Sequence, residues 1–394
     1  MRYHFGDCTL CTETFTLEAA GAPRPVEPQV FDLLHLLVEH AGTVVTHDDL
    51  IATVWGGRIV SDAAISSRIS AARAAIGDDG TRQEWIRTIP RRGFRFVGLV
   101  RAEGEGLSSP KPSDHQTIGF CRSADGTRIA WARSGSGPPM ARAGHWLTHL
   151  EHDWQSPVWR PLLDEFSRHF ALWRYDQRGN GLSDQCAADL SLETSVSDLV
   201  AVTDAAGLDR FTLYGTSQGA PVAIEYALRH PARVARLILH GGFERGRRKR
   251  DSDGGEPMSQ AMVTLIREGW GKPGSAFMRA FASIFIPGAT KEQLDSLAEL
   301  QRLCTDPETA ARLRWAIDGY SVAGRLADVR VPTLVLHARH DAVHPFEQGL
   351  ALAAGIPGAE FVQLDSANHV ILPEEPAWEM LFDAIRRFAA PAVA

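Results

Sequence analysis

The sequence Gly-Thr-Ser-Gln-Gly at residues 215–219 decides how the longer part of this chain folds. An apolar strand pattern at 211–214 precedes it, and a helical pattern at 221–229 follows it. A G-x-S-x-G sequence between a strand and a helix predicts a sharp turn that exposes the serine hydroxyl. The N-terminus of the following helix favours negative charge that develops beside Ser217. The stretch therefore predicts a serine nucleophile at the end of a strand.

Strand and helix patterns alternate on both sides of this turn, from residue 127 onward. Short apolar runs at 170–176, 234–239 and 332–336 read as strands, and 191–206 reads as a helix. Alternation of this kind predicts an α/β fold with a mostly parallel sheet covered on both faces. A helical segment without strong strand patterns, about residues 243–327, is expected to be a cap inserted into that fold.

Two further side chains complete a catalytic pattern, because a serine hydroxyl needs a base and the base needs an orienting carboxylate. Asp341 follows the strand pattern that ends near 336, and His369 follows the next one at 360–364. The chain order Ser217, Asp341, His369 is that of the α/β-hydrolase triad. Asp365 is the rival acid. It lies only four residues before His369, whereas Asp341 follows the earlier strand pattern that ends near 336.

The oxyanion formed during acyl transfer needs two backbone N–H donors. One is expected from Gln218, directly after the nucleophile, and the other from Trp146 in the loop at 143–147. That loop reads Gly-His where the fold usually has His-Gly. Three histidines beside Asp341, at 337, 340 and 344, are interpreted as loop residues next to the site. We expect no metal and no cofactor.

Residues 117–394 resemble α/β-hydrolase-fold enzymes of the esterase, enol-lactonase and cofactor-free haloperoxidase-like group. The resemblance rests on the serine turn, the triad order, and the sequence YDQRGNGLSD at 175–184. It implies acyl transfer to water, with Asp176 and Arg178 fixing a loop and taking no part in the chemistry. A serine nucleophile argues against the dehalogenase and epoxide-hydrolase reactions, for which this fold uses aspartate.

The first hundred residues have a different pattern, with three helical segments followed by a hairpin. Helices are predicted over 31–38, from Thr46, and from Ser61 to about Gly77, and strands at 85–89 and 94–97 flank a Pro-Arg-Arg-Gly turn. Between 55 and 95 there are eight arginines against four acids, although the whole chain has a net charge of −7. A local basic surface of this kind suits phosphate contacts.

This N-terminal part resembles the OmpR/PhoB-type winged helix-turn-helix output domain of bacterial transcription regulators. The resemblance is carried by Val-Trp-Gly at 54–56, Val-Ser-Asp at 60–62 and TIPRRGFRF at 88–96. It implies that the helix from Ser61 enters the major groove of double-stranded DNA and that the wing reaches the backbone or minor groove. The residues expected to contact DNA are Ser66, Ser67, Arg68, Ser70, Arg73, Arg91 and Arg92. Binding as a homodimer to repeated half-sites would offset the few cations on this helix.

Composition sets the remaining limits. The chain has 394 residues, 44% apolar and 23% charged, with five cysteines, which predicts a multidomain globular protein without a disulfide framework. Cys8 and Cys11 are interpreted as strand residues. No signal-peptide pattern and no run of about 18 apolar residues is present, so we expect a cytoplasmic protein without a membrane partner. The predicted domains are a winged helix at 1–100, a linker at 101–116 and a hydrolase domain at 117–394.

Two functional interpretations follow. The first is a DNA-binding transcription regulator whose hydrolase-fold domain senses, and also hydrolyses, a small ester, lactone or related carbonyl compound. The second is either a catalytically silent receptor that controls DNA binding or a working hydrolase with an accessory DNA-binding module. Hydrolase folds are reused as receptors, so an intact triad does not by itself prove turnover.

Overall fold

The computed structural model describes residues 2–12, 14–19, 21–42, 44–56, 58, 60–90, 92–98, 100–103, 115–185, 188–250 and 254–390. The chain forms two compact units, Met1–Ser108 and Ser109–Ala394. Each unit has its own buried apolar core.

The first unit begins with an antiparallel sheet that the sequence patterns did not reveal. Its strands are short and consecutive, and each pairs with the next: β1 (Arg2–Phe5), β2 (Cys8–Cys11), β3 (Thr16–Ala19) and β4 (Ala22–Arg24). Cys8 and Cys11 lie at the two ends of β2, and both are buried. They are strand residues, as expected.

Three helices and a hairpin follow, as the sequence predicts. They are α1 (Pro28–Glu39), α2 (His47–Val54), α3 (Asp62–Ala75), β5 (Ile86–Ile89) and β6 (Gly93–Phe96). Thr46 caps α2, where its side chain accepts a hydrogen bond from Asp49 N–H, and Ser61 caps α3 in the same way through Ala64 N–H. The apolar residues spaced along α3 are buried against the core: Ile65, Ile69, Ala72 and Ile76.

A further strand corrects the expected start of the linker. Strand β7 (Arg101–Glu103) pairs antiparallel with β1, so these residues complete the sheet of the first unit. Strand β7 is only three residues long and lies at the edge of the sheet. It is therefore too short to show the alternation of apolar residues by which a strand is predicted from sequence.

The second unit is built on one eight-stranded sheet. In chain order its strands are β8 (Thr117–Arg122), β9 (Arg128–Ser134), β10 (Pro139–Arg142), β11 (Ala171–Tyr175), β12 (Phe211–Thr216), β13 (Val234–His240), β14 (Thr333–Ala338) and β15 (Glu360–Leu364). Their spatial order is β15-β14-β13-β12-β10-β11-β9-β8. The pairs β8–β9 and β9–β11 are antiparallel and all other pairs are parallel.

Helices cover both faces of this sheet and form the cap. They are α4 (Leu150–Asp153), α5 (Trp159–His169), α6 (Leu192–Ala205), α7 (Gly219–Arg229), α8 (Gly255–Gly269), α9 (Ala276–Phe285), α10 (Lys291–Cys304), α11 (Pro307–Ile317), α12 (Phe346–Gly355) and α13 (Pro376–Ala389). Helices α8 to α11 lie between β13 and β14, in the segment where a helical cap was expected. Residues of α5 and α13 share one apolar core, and residues of α6 and α7 share the other. Burial on both faces explains the unbroken apolar runs of the central strands.

The loop after β11 is fixed by buried charges, as its resemblance implied. Arg178 donates to Asp198 at 2.6 and 2.8 Å and to Asp125 at 2.7 Å. Asp176 accepts hydrogen bonds from the backbone N–H groups of Leu182 at 2.8 Å and Leu150 at 3.2 Å. These bonds tie the loop to neighbouring segments and place it beside the ends of the central strands.

We predict that Arg178→Ala lowers the free energy of unfolding of the second unit by about 3–5 kcal/mol, because it leaves the Asp198 carboxylate buried without its cation. The matched control is Arg128→Ala, whose partner Asp184 is 3.3 Å away and about as exposed as Arg128. An exposed pair of this kind is worth less than about 1 kcal/mol. Urea unfolding followed by tryptophan fluorescence measures both, and equal losses for the two variants would contradict the prediction.

Candidate active site and nucleic-acid interface

Ser217 lies in a strained turn between β12 and α7. Its backbone φ is +55°, in the left-handed region that non-glycine residues rarely adopt. A Cβ at Gly219 would lie 2.9 Å from the Gly144 carbonyl oxygen, and one at Gly215 would lie 2.6 Å from the Gly219 carbonyl oxygen. Both positions therefore require glycine, which explains the two small residues that flank the serine.

His369 and Asp341 meet directly at the ends of β15 and β14. His369 Nδ1 lies 2.6 Å from Asp341 Oδ2, and both side chains are buried. The second carboxylate oxygen of Asp341 accepts from the backbone N–H groups of Val343 at 2.8 Å and His344 at 3.1 Å. Burial, the largest single effect, raises the pKa of Asp341, but His369, His337 and the His344 backbone N–H together outweigh it, so the pKa is lowered overall. Asp365, the alternative acid, is exposed.

Ser217 contacts a histidine that the sequence analysis had placed beside the site without a role. Its Oγ lies 3.4 Å from Nε2 of His344. His369 Nε2 has no hydrogen-bond partner among the described residues. His337 is also buried, and its Nε2 donates to the His344 carbonyl oxygen at 2.9 Å. The position of His344, three residues after Asp341, was the only sequence signal for this contact.

Gln218 is linked through Gln177 to the loop that carries Trp146. Within the described residues, neither the Gln218 nor the Trp146 N–H donates a backbone hydrogen bond. The Gln218 side chain donates to Gln177 Oε1 at 2.7 Å, and Gln177 donates to the His145 carbonyl oxygen at 3.0 Å. Gln177 thus bridges the serine turn and the 143–147 loop, a positioning role that the sequence analysis missed.

A small cavity lies beside Ser217 and His369. Its wall combines the 143–147 loop with cap residues from α9 and α10, namely Phe285, Leu297 and Gln301. The space open to a water-sized sphere is about 20 Å³, which is close to the room that a single water needs. The His369 backbone N–H donates to the Phe285 carbonyl oxygen at 2.8 Å, so the cap is bonded directly to the histidine loop.

Two buried acceptor atoms without a partner belong to side chains that line this cavity. His145 Nδ1 lies 3.0 Å from the Trp146 carbonyl oxygen, which can only accept, so the proton is on Nδ1 and Nε2 is a bare acceptor. Burial and the nearby Arg142 guanidinium hold the pKa of His145 well below its ordinary value. His145 Nε2 and Gln301 Oε1 are both buried without a hydrogen-bond partner among the described residues. A ligand that carries N–H or O–H groups would satisfy them.

In the first unit, α3 presents the serines expected to contact DNA. Ser66, Ser67 and Ser70 are exposed. Arg68 is half-buried and forms an ion pair with Glu27. Arg92, at the turn of the wing, is exposed, and Arg91 lies outside the described residues.

Arg73 corrects the sequence interpretation. It is 7% exposed. Its guanidinium donates to the Ile86 carbonyl oxygen at 2.7 and 3.0 Å and to Thr88 Oγ1 at 2.9 Å. Arg73 therefore fastens α3 to the wing hairpin and does not face DNA. A count of charges does not show burial, so it could not separate Arg73 from the exposed arginines. One exposed arginine is Arg87 on β5, which was not among the residues expected to contact DNA.

Two kinds of feature are absent from the described residues. None of the helices in the described part of the chain combines the length and apolar character needed to cross a membrane. The same residues contain no group of three or more histidine, cysteine or acidic side chains arranged to hold a metal ion.

The two units together define a DNA-binding module fused to a hydrolase fold, and comparison with known proteins agrees. Residues 152–376 match the family model for the α/β hydrolase fold, and residues 21–96 match that for the C-terminal domain of transcriptional regulatory proteins. The chain belongs to the α/β hydrolase family, and its N-terminal unit is an OmpR/PhoB-type DNA-binding domain.

Individual relatives divide in the same way. The chain is 26% identical over 260 residues to the pimeloyl-[acyl-carrier protein] methyl ester esterase of Nitrosomonas europaea, covering 64% of this chain and 97% of that protein. It is 35% identical over 99 residues to the transcriptional activator CadC of Escherichia coli, covering 23% and 19% of the two chains. A crystal structure of a hydrolase from Pseudomonas aeruginosa superimposes with a TM-score of 0.59 at 23% identity, covering 70% of this chain and 99% of that one.

For the DNA-binding unit, we predict that substitution of Arg92 changes DNA affinity, whereas substitution of Arg73 changes stability. Arg92→Ala should weaken binding to any duplex and reduce the slope of log affinity against log salt by about 1, because one phosphate contact is lost. Arg73→Ala should lower the free energy of unfolding by about 1–3 kcal/mol, because the Ile86 carbonyl and Thr88 lose their donor. Fluorescence anisotropy at several salt concentrations, with thermal unfolding, tests both.

The contrary results are distinct. An unchanged salt slope for Arg92→Ala would remove the wing from the DNA contact. A loss of DNA affinity with unchanged thermal stability for Arg73→Ala would restore that residue to the interface.

Proposed function

We propose that this protein is a transcription regulator whose hydrolase domain senses and hydrolyses a small ester, lactone or related carbonyl compound. The observation that carries the proposal is the convergence of Ser217, His369 and Asp341 at the ends of three sheet strands, with His369 bonded to a buried carboxylate. The fusion to a DNA-binding domain gives a ligand of this site a readout in DNA affinity.

The proposed reaction is acyl transfer to water. Ser217 Oγ attacks the substrate carbonyl carbon, while His369 Nε2 takes the hydroxyl proton and Asp341 orients the imidazole. The Gln218 and Trp146 N–H groups hold the oxyanion. The intermediate collapses, and His369 gives its proton to the leaving alcohol. A water activated by His369 then attacks the acyl carbon and releases the acid and free Ser217.

The cavity favours a compact acyl group with polar hydrogens. Its volume is small, and the unpartnered acceptors His145 Nε2 and Gln301 Oε1 belong to two of the residues that line it. An alkyl acyl group would leave both unsatisfied, at a cost of about 1–3 kcal/mol each. We therefore propose a short hydroxyacyl or carbamoyl substrate, whose O–H or N–H groups donate to these atoms.

Sensing would follow from opening of the cap. The space beside Ser217 holds about one water-sized sphere, so we propose that entry of an ester moves the cap residues on α9 and α10 that line it. Regulation requires that the ligand bind one conformation of the protein more tightly than the other. A cap position that differs between the free and the bound protein provides this difference in ligand affinity. We propose that a pair of chains binds repeated DNA half-sites and that the ligand changes the spacing between the two DNA-binding units.

A silent receptor is the second candidate, and the contact between Ser217 and His344 favours it. The nucleophile lies against a histidine outside the triad, whereas His369 Nε2 is unpartnered among the described residues. In this alternative, ligand binding alone controls DNA affinity.

Treatment of the purified protein with a fluorescent fluorophosphonate separates the candidates. We expect the wild type to be labelled, because a serine activated by a histidine–aspartate pair attacks phosphorus. Ser217→Ala should not be labelled. DNA anisotropy before and after labelling then measures coupling. A folded wild type that resists labelling but binds DNA in a ligand-dependent way would support the receptor.

The polar cavity makes a further prediction about substrates. Ethyl glycolate and ethyl propionate differ by a hydroxyl in place of a methyl group. We expect kcat/KM to favour the glycolate, and Gln301→Leu to reduce that preference by roughly three- to tenfold through loss of one acceptor. Leu297→Met, which alters the same cavity without removing a polar atom, should leave the preference unchanged. Proton release at constant pH measures the rates, and equal preference in Gln301→Leu and wild type would contradict the assignment.

A further inference from the structure

Two imidazoles flank Ser217, and its hydroxyl contacts the one outside the triad. Ser217 Oγ lies 3.4 Å from His344 Nε2, whereas His369 Nε2 has no partner among the described residues. The two rings are buried, with centroids 5.4 Å apart. The nucleophile therefore lies on the His344 side of the site.

Two backbone contacts and one ring contact hold His344 in this place. Its backbone N–H donates to Asp341 Oδ1 at 3.1 Å, and its carbonyl oxygen accepts from His337 Nε2 at 2.9 Å. The ring packs on Phe243 with a centroid distance of 4.5 Å. The loop that carries the triad acid therefore also positions His344 against the serine.

His344 is not equipped to be the general base. No carboxylate holds its second nitrogen, since Nδ1 is buried without a hydrogen-bond partner in the described part of the chain. Burial, followed by the charges of His369, Arg250, Arg314 and His337, holds the pKa of His344 well below its ordinary value. A base must take a proton near the working pH. His344 instead remains a neutral hydrogen-bonding group beside the nucleophile.

We propose that His344 is a positioning residue that holds the Ser217 hydroxyl away from His369 while the site is empty. The proposal rests on Ser217 being the nucleophile of the proposed function. Attack requires Ser217 to leave His344 and give its proton to His369 Nε2. The His344 contact is then present in the resting state and absent from the transition state. An interaction of that kind slows the reaction.

Three substitutions at one position test this in the full-length protein. His344→Leu and His344→Asn remove the group at the Nε2 position, whereas the longer His344→Gln side chain can return an amide there. We expect the second-order rate constant of fluorophosphonate labelling to rise roughly three- to tenfold in His344→Leu and His344→Asn, as expected for loss of one hydrogen bond. His344→Gln should remain within about twofold of wild type. Thermal unfolding identifies any variant that fails to fold. If His344→Leu fails to fold, the comparison of His344→Asn with His344→Gln is sufficient.

The pH dependence of labelling separates positioning from catalysis. The midpoint of the profile should be the same in all folded variants, because a neutral His344 contributes no titration to it. Slower labelling in folded His344→Leu and His344→Asn, or a displaced midpoint, would show that His344 supports the chemistry and would overturn the proposal. Equal rates would overturn it as well. A folded wild type that is not labelled at all would instead remove the proposed hydrolase function on which this proposal rests.

Discussion

The close approach of α7 to the 143–147 loop is the constraint on which the proposed catalytic site depends. Ser217 has a left-handed backbone, and the space around Gly215 and Gly219 admits no side chain. This contact brings the N-terminal end of α7 against the loop that carries Trp146, so the serine and both proposed oxyanion donors are placed together. The strain at Ser217 is local, and the surrounding parallel sheet maintains it.

Much of this arrangement was predictable because it is encoded in local patterns. The glycines around Ser217, the alternation of strands and helices, and the positions of Asp341 and His369 after successive strands are visible in the sequence. The contact between Ser217 and His344 was not, because it depends on a side-chain direction. The N-terminal sheet was also missed, since its strands are three or four residues long and the first helix pattern dominated that region.

Charge counting was the least reliable guide in the DNA-binding unit. Eight arginines between residues 55 and 95 suggested one basic surface. The structure uses Arg73 to join α3 to the wing and pairs Arg68 with Glu27. The exposed serines of α3 and the exposed cations of the wing remain for DNA. Arginine satisfies backbone carbonyls as readily as phosphate oxygens, and only burial separates the two uses.

The hydrogen bond from the His369 N–H to the Phe285 carbonyl oxygen links the cap directly to the loop that carries His369. In the proposed opening, an outward movement of α9 would break this bond and release the loop that carries His369, the proposed general base. The proposed reaction would then require the cap to close again after the substrate has entered. On that proposal, a compound that holds the cap open would occupy the site without being hydrolysed.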